Sequence, residues 1–195
     1  MYISPSIASS NQLKLMDSMD YINNNFEEIH VDIEDGNYIP DNISFGFKTA
    51  RAICGYSQVP VSMHLMVNDP MKWIEDVRSC NPYITFLHTD HIENPVEVLR
   101  QYKKVGLNVG LGLSNHDLKR NIDTLLNETC NIIMLTASIE DHNQLFDYKL
   151  VEYAKSFVDQ GFRVWLDGGI KKEYFDVLKR MGFHAAVMGR AIFQT

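Results

Sequence analysis

Eight short apolar runs punctuate the chain: Tyr2–Ile7, Glu28–Ile33, Val61–Met66, Tyr83–Thr89, Asn108–Leu113, Asn131–Thr136, Arg163–Leu166 and Ala185–Met188. Between them lie stretches with helical periodicity, among them Asn11–Asn23, Met71–Ser79, Val96–Val105, Leu118–Leu126, Tyr148–Gln160 and Lys172–Met181. In the last of these, Tyr174, Phe175, Val177, Leu178 and Met181 form one apolar stripe, and Gly182 follows where a C-terminal cap belongs. Gly106 and Gly161 take the equivalent place after two other helical stretches. The segment 37–55 is less regular and predicts a loop before a short helix. Strand–helix alternation with short connections implies a parallel sheet. Eight such strands predict a single α/β domain over residues 1–195, a (β/α)8 TIM barrel, although an open doubly wound sheet has the same local signature. The eighth run ends near Gly189, so the last helix of an ordinary barrel is expected to be absent. A missing helix exposes apolar surface, and a homo-oligomer is the expected way to cover it.

Composition narrows the partners. Of 195 residues, 18 are Lys or Arg and 25 are Asp or Glu, a formal charge of −7. Nothing supplies the clustered cationic surface that a nucleic-acid binder needs. No apolar run approaches the ~18 residues of a membrane span, and the first residues lack the basic flank and apolar stretch of a signal peptide. Cys54, Cys80 and Cys130 are widely separated and form no CxxC pair, which argues against a disulfide framework and for a cytoplasmic setting.

The polar residues inside the runs carry the chemistry. In Ile29-His30-Val31-Asp32-Ile33-Glu34, side chains alternate faces, so His30, Asp32 and Glu34 share one. Helices cover the outside of a barrel, so this polar face points inward, at the C-terminal end of its strand. Ser62, His64 and Met66 repeat the pattern, and Asp167 ends the seventh run before Gly168-Gly169. Singly, each has an ordinary structural explanation: a hydrogen-bonded core histidine, an Asp35-Gly36 turn, a helix N-cap at Asp167. Together, two imidazoles and two carboxylates at one barrel mouth form an N2O2 donor set suited to zinc or another divalent ion. That mouth is where barrels of this kind carry their active sites.

Ser4-Pro5-Ser6, His30-Val31-Asp32 with Asp35-Gly36, His64-Leu65-Met66-Val67, Leu87-His88, Asp167-Gly168-Gly169-Ile170 and Gly189-Arg190-Ala191-Ile192-Phe193 occur in this order along essentially the whole chain. In this the sequence resembles the ribulose-phosphate 3-epimerases, a frame that allulose-6-phosphate 3-epimerases share. The resemblance implies that His30, Asp32, His64 and Asp167 bind a divalent metal, zinc in the first instance, with iron, manganese or cobalt as alternatives. It also implies that Asp32 and Asp167 are the catalytic acid/base pair, and that Ser6, His64, Gly168, Gly169, Gly189 and Arg190 bind a ketose phosphate. The reaction would invert C3 through an enediolate and needs no organic cofactor. A non-catalytic sugar-phosphate-binding barrel and a lyase of the same barrel group are the alternatives; the lyases carry Asp-x-Lys-x-x-Asp, and here Ile33-Glu34 follows Asp32 without a lysine.

The chain also departs from the family pattern. Where the family has a Pro-Gly-Phe-Gly-Gly-Gln phosphate cover, it has Ile139-Glu140-Asp141-His142-Asn143-Gln144. Two carboxylates there predict a loop that stays open, and weaker, salt-sensitive phosphate binding. Glu34 stands where Met is usual, Ser114-Asn115 replaces Asn-Pro, and Arg190 follows Gly189 where a small residue is commoner.

Overall fold

The computed structural model describes residues 1–138 and 145–194; the altered loop Ile139–Gln144 lies outside the described residues. Eight strands alternate with helices. The strands are β1 (Tyr2–Pro5), β2 (Ile29–Glu34), β3 (Val61–Met66), β4 (Ile84–His88), β5 (Val109–Leu113), β6 (Asn131–Leu135), β7 (Arg163–Asp167) and β8 (Ala185–Met188). The helices are α1 (Leu15–Asn25), α2 (Phe47–Tyr56), α3 (Ile74–Cys80), α4 (Pro95–Lys104), α5 (Asp123–Leu126), α6 (Tyr148–Asp159), α7 (Phe175–Arg180) and α8 (Arg190–Phe193). All the ladders are parallel, and the strands follow one another in sequence order from β2 to β8, with β1 paired to β8. A parallel bridge between Ser6 and His30 joins β1 to β2 and turns the sheet into a nearly closed barrel. That bridge decides between barrel and open sheet, which hydrophobic periodicity could not do.

Two expectations are corrected. A helix does follow β8: Ile192 and Phe193 donate backbone N–H groups to the Gly189 carbonyl at 2.9 and 3.1 Å, closing the single turn of α8. The predicted helix Leu118–Leu126 is broken into a 3-10 turn, Asn115–Lys119, and the short α5. Ser114 and Asp117 form a reciprocal capping box that starts the turn. Arg120 then leaves helical geometry to donate to the Thr89 carbonyl at 2.9 Å and to Asp117 at 3.0 Å.

The main core lies between the outer strand faces and the helices, with Ile29, Val31, Leu65, Leu111, Ile132, Val164 and Leu166 buried there against residues such as Ile22, Ile53, Leu99, Val151 and Leu178. A second cluster plugs the barrel interior: Ile84, Phe86, Ile133, Trp165, Ala185 and Val187. Above this plug the interior turns polar. Gly112 on β5 faces His88 on β4, and a Cβ there would stand 2.9 Å from the imidazole, so a residue without a side chain is what admits this ring to the barrel.

Candidate metal and active site

The register of β2 and β3 pairs His30 with Ser62, Asp32 with His64 and Glu34 with Met66, placing both polar series on the inner face at one height. β7 delivers Asp167 to the same mouth. The backbone turns sharply after it: Gly168 adopts φ +108°, in the region favouring glycine, and Thr136 Oγ1 donates to its carbonyl at 2.6 Å.

Four donor atoms converge at this mouth. His30 Nε2 lies 3.3 Å from Asp32 Oδ1 and 4.0 Å from Asp167 Oδ2. His64 Nδ1 lies 3.5 Å from Asp32 Oδ1 and 3.1 Å from Asp167 Oδ2. Ligand atoms from all four residues fall within 4.8 Å of one another. Donors about 2.1 Å from a tetrahedral zinc stand roughly 3.4 Å apart, so the spacing suits such an ion. His30 Nε2 and Asp32 Oδ1 are moreover buried without a hydrogen-bond partner. Buried polar atoms are normally paired, and these two point at the same place. The donor set therefore fits a divalent cation.

Outer contacts orient the ligands. Ser6 Oγ donates to the other Asp32 oxygen, Oδ2, at 2.5 Å. His30 Nδ1 meets Ser62 Oγ at 2.7 Å, and His64 Nε2 meets His88 Nε2 at 2.8 Å. Ligating imidazoles characteristically spend the second ring nitrogen on such a partner. Burial holds His88 well below the ordinary imidazole value, with the neighbouring His64 pushing the same way, so it stays neutral and able to accept.

The electrostatics match the geometry. Burial alone would raise the Asp32 carboxyl, but the His30 and His64 imidazoles outweigh it and hold the group well below the carboxylate range. Burial opposes charge on His64 too, yet Asp167 and Asp32 raise it to about 9 without metal. Glu34 behaves differently. Burial, then the charges of Asp32 and Asp167, push it up to about 8, and Asn42 Nδ2 donates to it at 2.5 Å. The extra inward carboxylate is itself the group that the crowding of acids perturbs.

A cavity of about 980 Å³ opens over the site, lined by Ser6, Asp32, Glu34, Asp167, Gly168, Gly169, Gly189 and Arg190. His30 and His64 lie beneath it, fully buried. Every site residue expected from the sequence is thus in this mouth or its floor. Sequence reasoning did not give site roles to His88, Ser62 and Glu28. Their signal was present, since each occupies an inward position of its strand's alternation, two residues from His30, His64 or another inward group. Among the described residues no helix is long and apolar enough to cross a membrane.

The chain is similar in fold to phosphoribosyl anthranilate isomerase from Thermus thermophilus, with a TM-score of 0.71 at 14% identity over 100% of this chain and 90% of that one. The corresponding enzyme from Thermococcus kodakaraensis gives a TM-score of 0.66 at 13% identity, covering 98% and 89%. In sequence it is 26% identical to a ribulose-phosphate 3-epimerase of Helicobacter pylori strain J99, across 100% of this chain and 92% of the relative. One from Bacillus subtilis is 23% identical, across 98% and 91%. The model of the ribulose-phosphate 3-epimerase family matches residues 2–193, and the chain belongs to that family.

Proposed function

We propose that this protein is a metal-dependent epimerase that inverts C3 of a ketose phosphate, ribulose 5-phosphate or a related pentulose or hexulose phosphate. One observation carries the reading: two aspartates from strands on different sides of the mouth, Asp32 and Asp167, share the same pair of imidazoles beneath an open cavity. Epimerisation next to a carbonyl requires a proton to leave one face of the carbon and another to arrive on the opposite face. Two separate carboxyl groups meet that requirement, where a binding protein needs neither. His30, Asp32, His64 and Asp167 would hold the divalent ion, whose positive charge stabilises the enediolate oxygens.

The remaining roles belong to the chain. Asp32 takes the C3 proton in one direction while protonated Asp167 supplies one to the other face, and the reverse reaction exchanges their parts. Ser6 binds Asp32 Oδ2, and the other oxygen of that carboxylate is buried without a hydrogen-bond partner, facing His30 and His64. Backbone N–H groups of Gly168, Gly169 and Gly189 hold the phosphate, and Arg190 supplies positive charge at that end of the cavity.

The test is hydrogen exchange at C3. Zinc-loaded protein incubated with ribulose 5-phosphate in deuterated water should place deuterium at C3 and form the C3 epimer, both visible by NMR. If neither this nor any other ketose phosphate in a panel exchanges its C3 proton with zinc, iron, manganese or cobalt present, the proposal is wrong.

A further inference from the structure

Below the metal mouth, the barrel buries one acidic side chain that the site just described does not use. Glu28 immediately precedes β2 and is 2% exposed. Its Oε1 accepts from Ser62 Oγ at 2.8 Å and from Trp165 Nε1 at 3.3 Å, and its Oε2 accepts from the Tyr2 hydroxyl at 2.9 Å. The indole N–H can only donate, and three donors aimed at two oxygens describe an acceptor-only carboxylate. Ser62 has a single proton to give. Glu28 Oε1 at 2.8 Å and His30 Nδ1 at 2.7 Å are both within reach of it, whereas the Ile29 carbonyl at 3.3 Å and the Ser4 hydroxyl at 3.5 Å are more distant. A carboxylate draws a hydroxyl proton more strongly than a neutral imidazole does, and with that proton committed to Glu28, Ser62 offers only lone pairs to His30 Nδ1, 2.7 Å away. Nδ1 must then be the ring nitrogen that carries hydrogen, and Nε2 is left with its lone pair facing Asp32 and Asp167. The opposite tautomer would aim an N–H at the point where the four donor atoms converge.

We propose that Glu28 is a positioning residue for the metal centre: through Ser62 it locks His30 in the tautomer whose Nε2 lone pair faces the ion. The proposal rests on the reading that His30, Asp32, His64 and Asp167 hold a divalent cation. Glu28 reaches neither ion nor substrate; its effect travels through two hydrogen bonds with a fixed direction.

Two readouts test it in the full-length chain. Zinc affinity, measured by competition with a chromophoric chelator, should fall about 10–100-fold in Ser62→Ala, the usual range for losing an outer partner of a metal-bound histidine. Glu28→Gln keeps the shape and one acceptor oxygen, and should lose less. The double variant should bind no more weakly than Ser62→Ala alone, because without the hydroxyl Glu28 has no route to His30. The second readout is the His30 tautomer, followed by nitrogen-15 NMR of metal-free protein across a pH series and read on the neutral ring. The Nδ1–H form should dominate in the wild type and give way to a mixture in Ser62→Ala and Glu28→Gln. A merely structural Glu28 would lower thermal stability and leave both readouts unmoved in the folded fraction. Wild-type zinc affinity in Ser62→Ala, or an Nε2–H tautomer in the wild-type protein, would overturn the proposal. Because the tautomer is read without metal, a wild-type protein that shows the expected tautomer but binds no zinc overturns the ion site and not the hydrogen-bond direction.

Discussion

The metal mouth and the Glu28 pocket beneath it bury polar groups on opposite terms. In the pocket, Glu28 is surrounded by three donors, and Ile84, Phe86, Ile133 and Trp165 fill the remaining space. At the mouth, His30 Nε2 and Asp32 Oδ1 are equally buried and have no hydrogen-bond partner. A buried polar group costs stability unless it is paired; Asn131 Oδ1 is a lone orphan lower down, whereas at the mouth two orphaned atoms from His30 and Asp32 are aimed at one point, which is built to receive something. The contrast teaches where to look in a barrel with polar residues along its whole bore: function lies where orphaned polar atoms from several strands converge on one point.

The largest effect should separate catalysis from folding. Asp32→Asn keeps the side-chain shape but cannot accept the substrate proton, and turnover should fall about 10²–10⁴-fold. Metal content must be measured alongside, since the same residue belongs to the donor set. Its mirror image is Ile133→Ala in the lower plug, which should cost about 2–5 kcal/mol of stability by denaturant unfolding. The folded Ile133→Ala protein should keep its zinc affinity and its kcat. Loss of metal binding there, or normal turnover in metal-replete Asp32→Asn, would erase the distinction between the two regions.

A smaller effect sharpens the boundary between them. In Gly112→Ala the new methyl meets the His88 ring at 2.9 Å, and His88 in turn meets His64 at 2.8 Å. We expect a cost of about 1–3 kcal/mol from overpacking, together with weaker zinc binding because the His64 ring loses its support. Calorimetry and zinc titration on the same preparation check both.

The last effect is electrostatic and shows only as pH is varied. The Glu34 carboxyl is raised from 4.5 to about 8 by burial and by Asp32 and Asp167. A raised carboxyl contributes stability that is full below the unfolded value and is lost as pH climbs through the folded one. Metal-free Glu34→Met should therefore melt progressively higher than metal-free wild type as pH rises from about 5 to about 8. A melting difference that stays flat over that window, or shrinks, would mean that Glu34 is not crowded by its neighbouring acids.

Much of this arrangement was legible in the order of residues, for a physical reason. Period-two alternation fixed which face His30, Asp32, His64 and Asp167 occupy, and the turn after each strand fixed which end. What alternation lacks is depth and partner identity. Glu28 and His30 lie two residues apart on the same face, yet one is satisfied and the other is not, because Ser62, Trp165 and Tyr2 arrive from β3, β7 and β1. Those encounters exist only once the barrel closes. The break between Lys119 and Asp123 was hidden similarly: helical periodicity is continuous there, and the long-range pull of Thr89 on Arg120 is what interrupts it. The turn of α8 escaped notice because so short a segment has no period to read.

The most direct test of the account is a zinc titration of the metal-free protein against a chromophoric chelator, run in parallel on wild type, His30→Ala and His64→Ala. The expected result is one ion bound per wild-type chain, with release of protons because His64, raised to about 9 without metal, must become neutral to bind it. Both alanine variants should stay folded and lose the site. Zinc binding that is absent from the wild type, or indifferent to both substitutions, would contradict it.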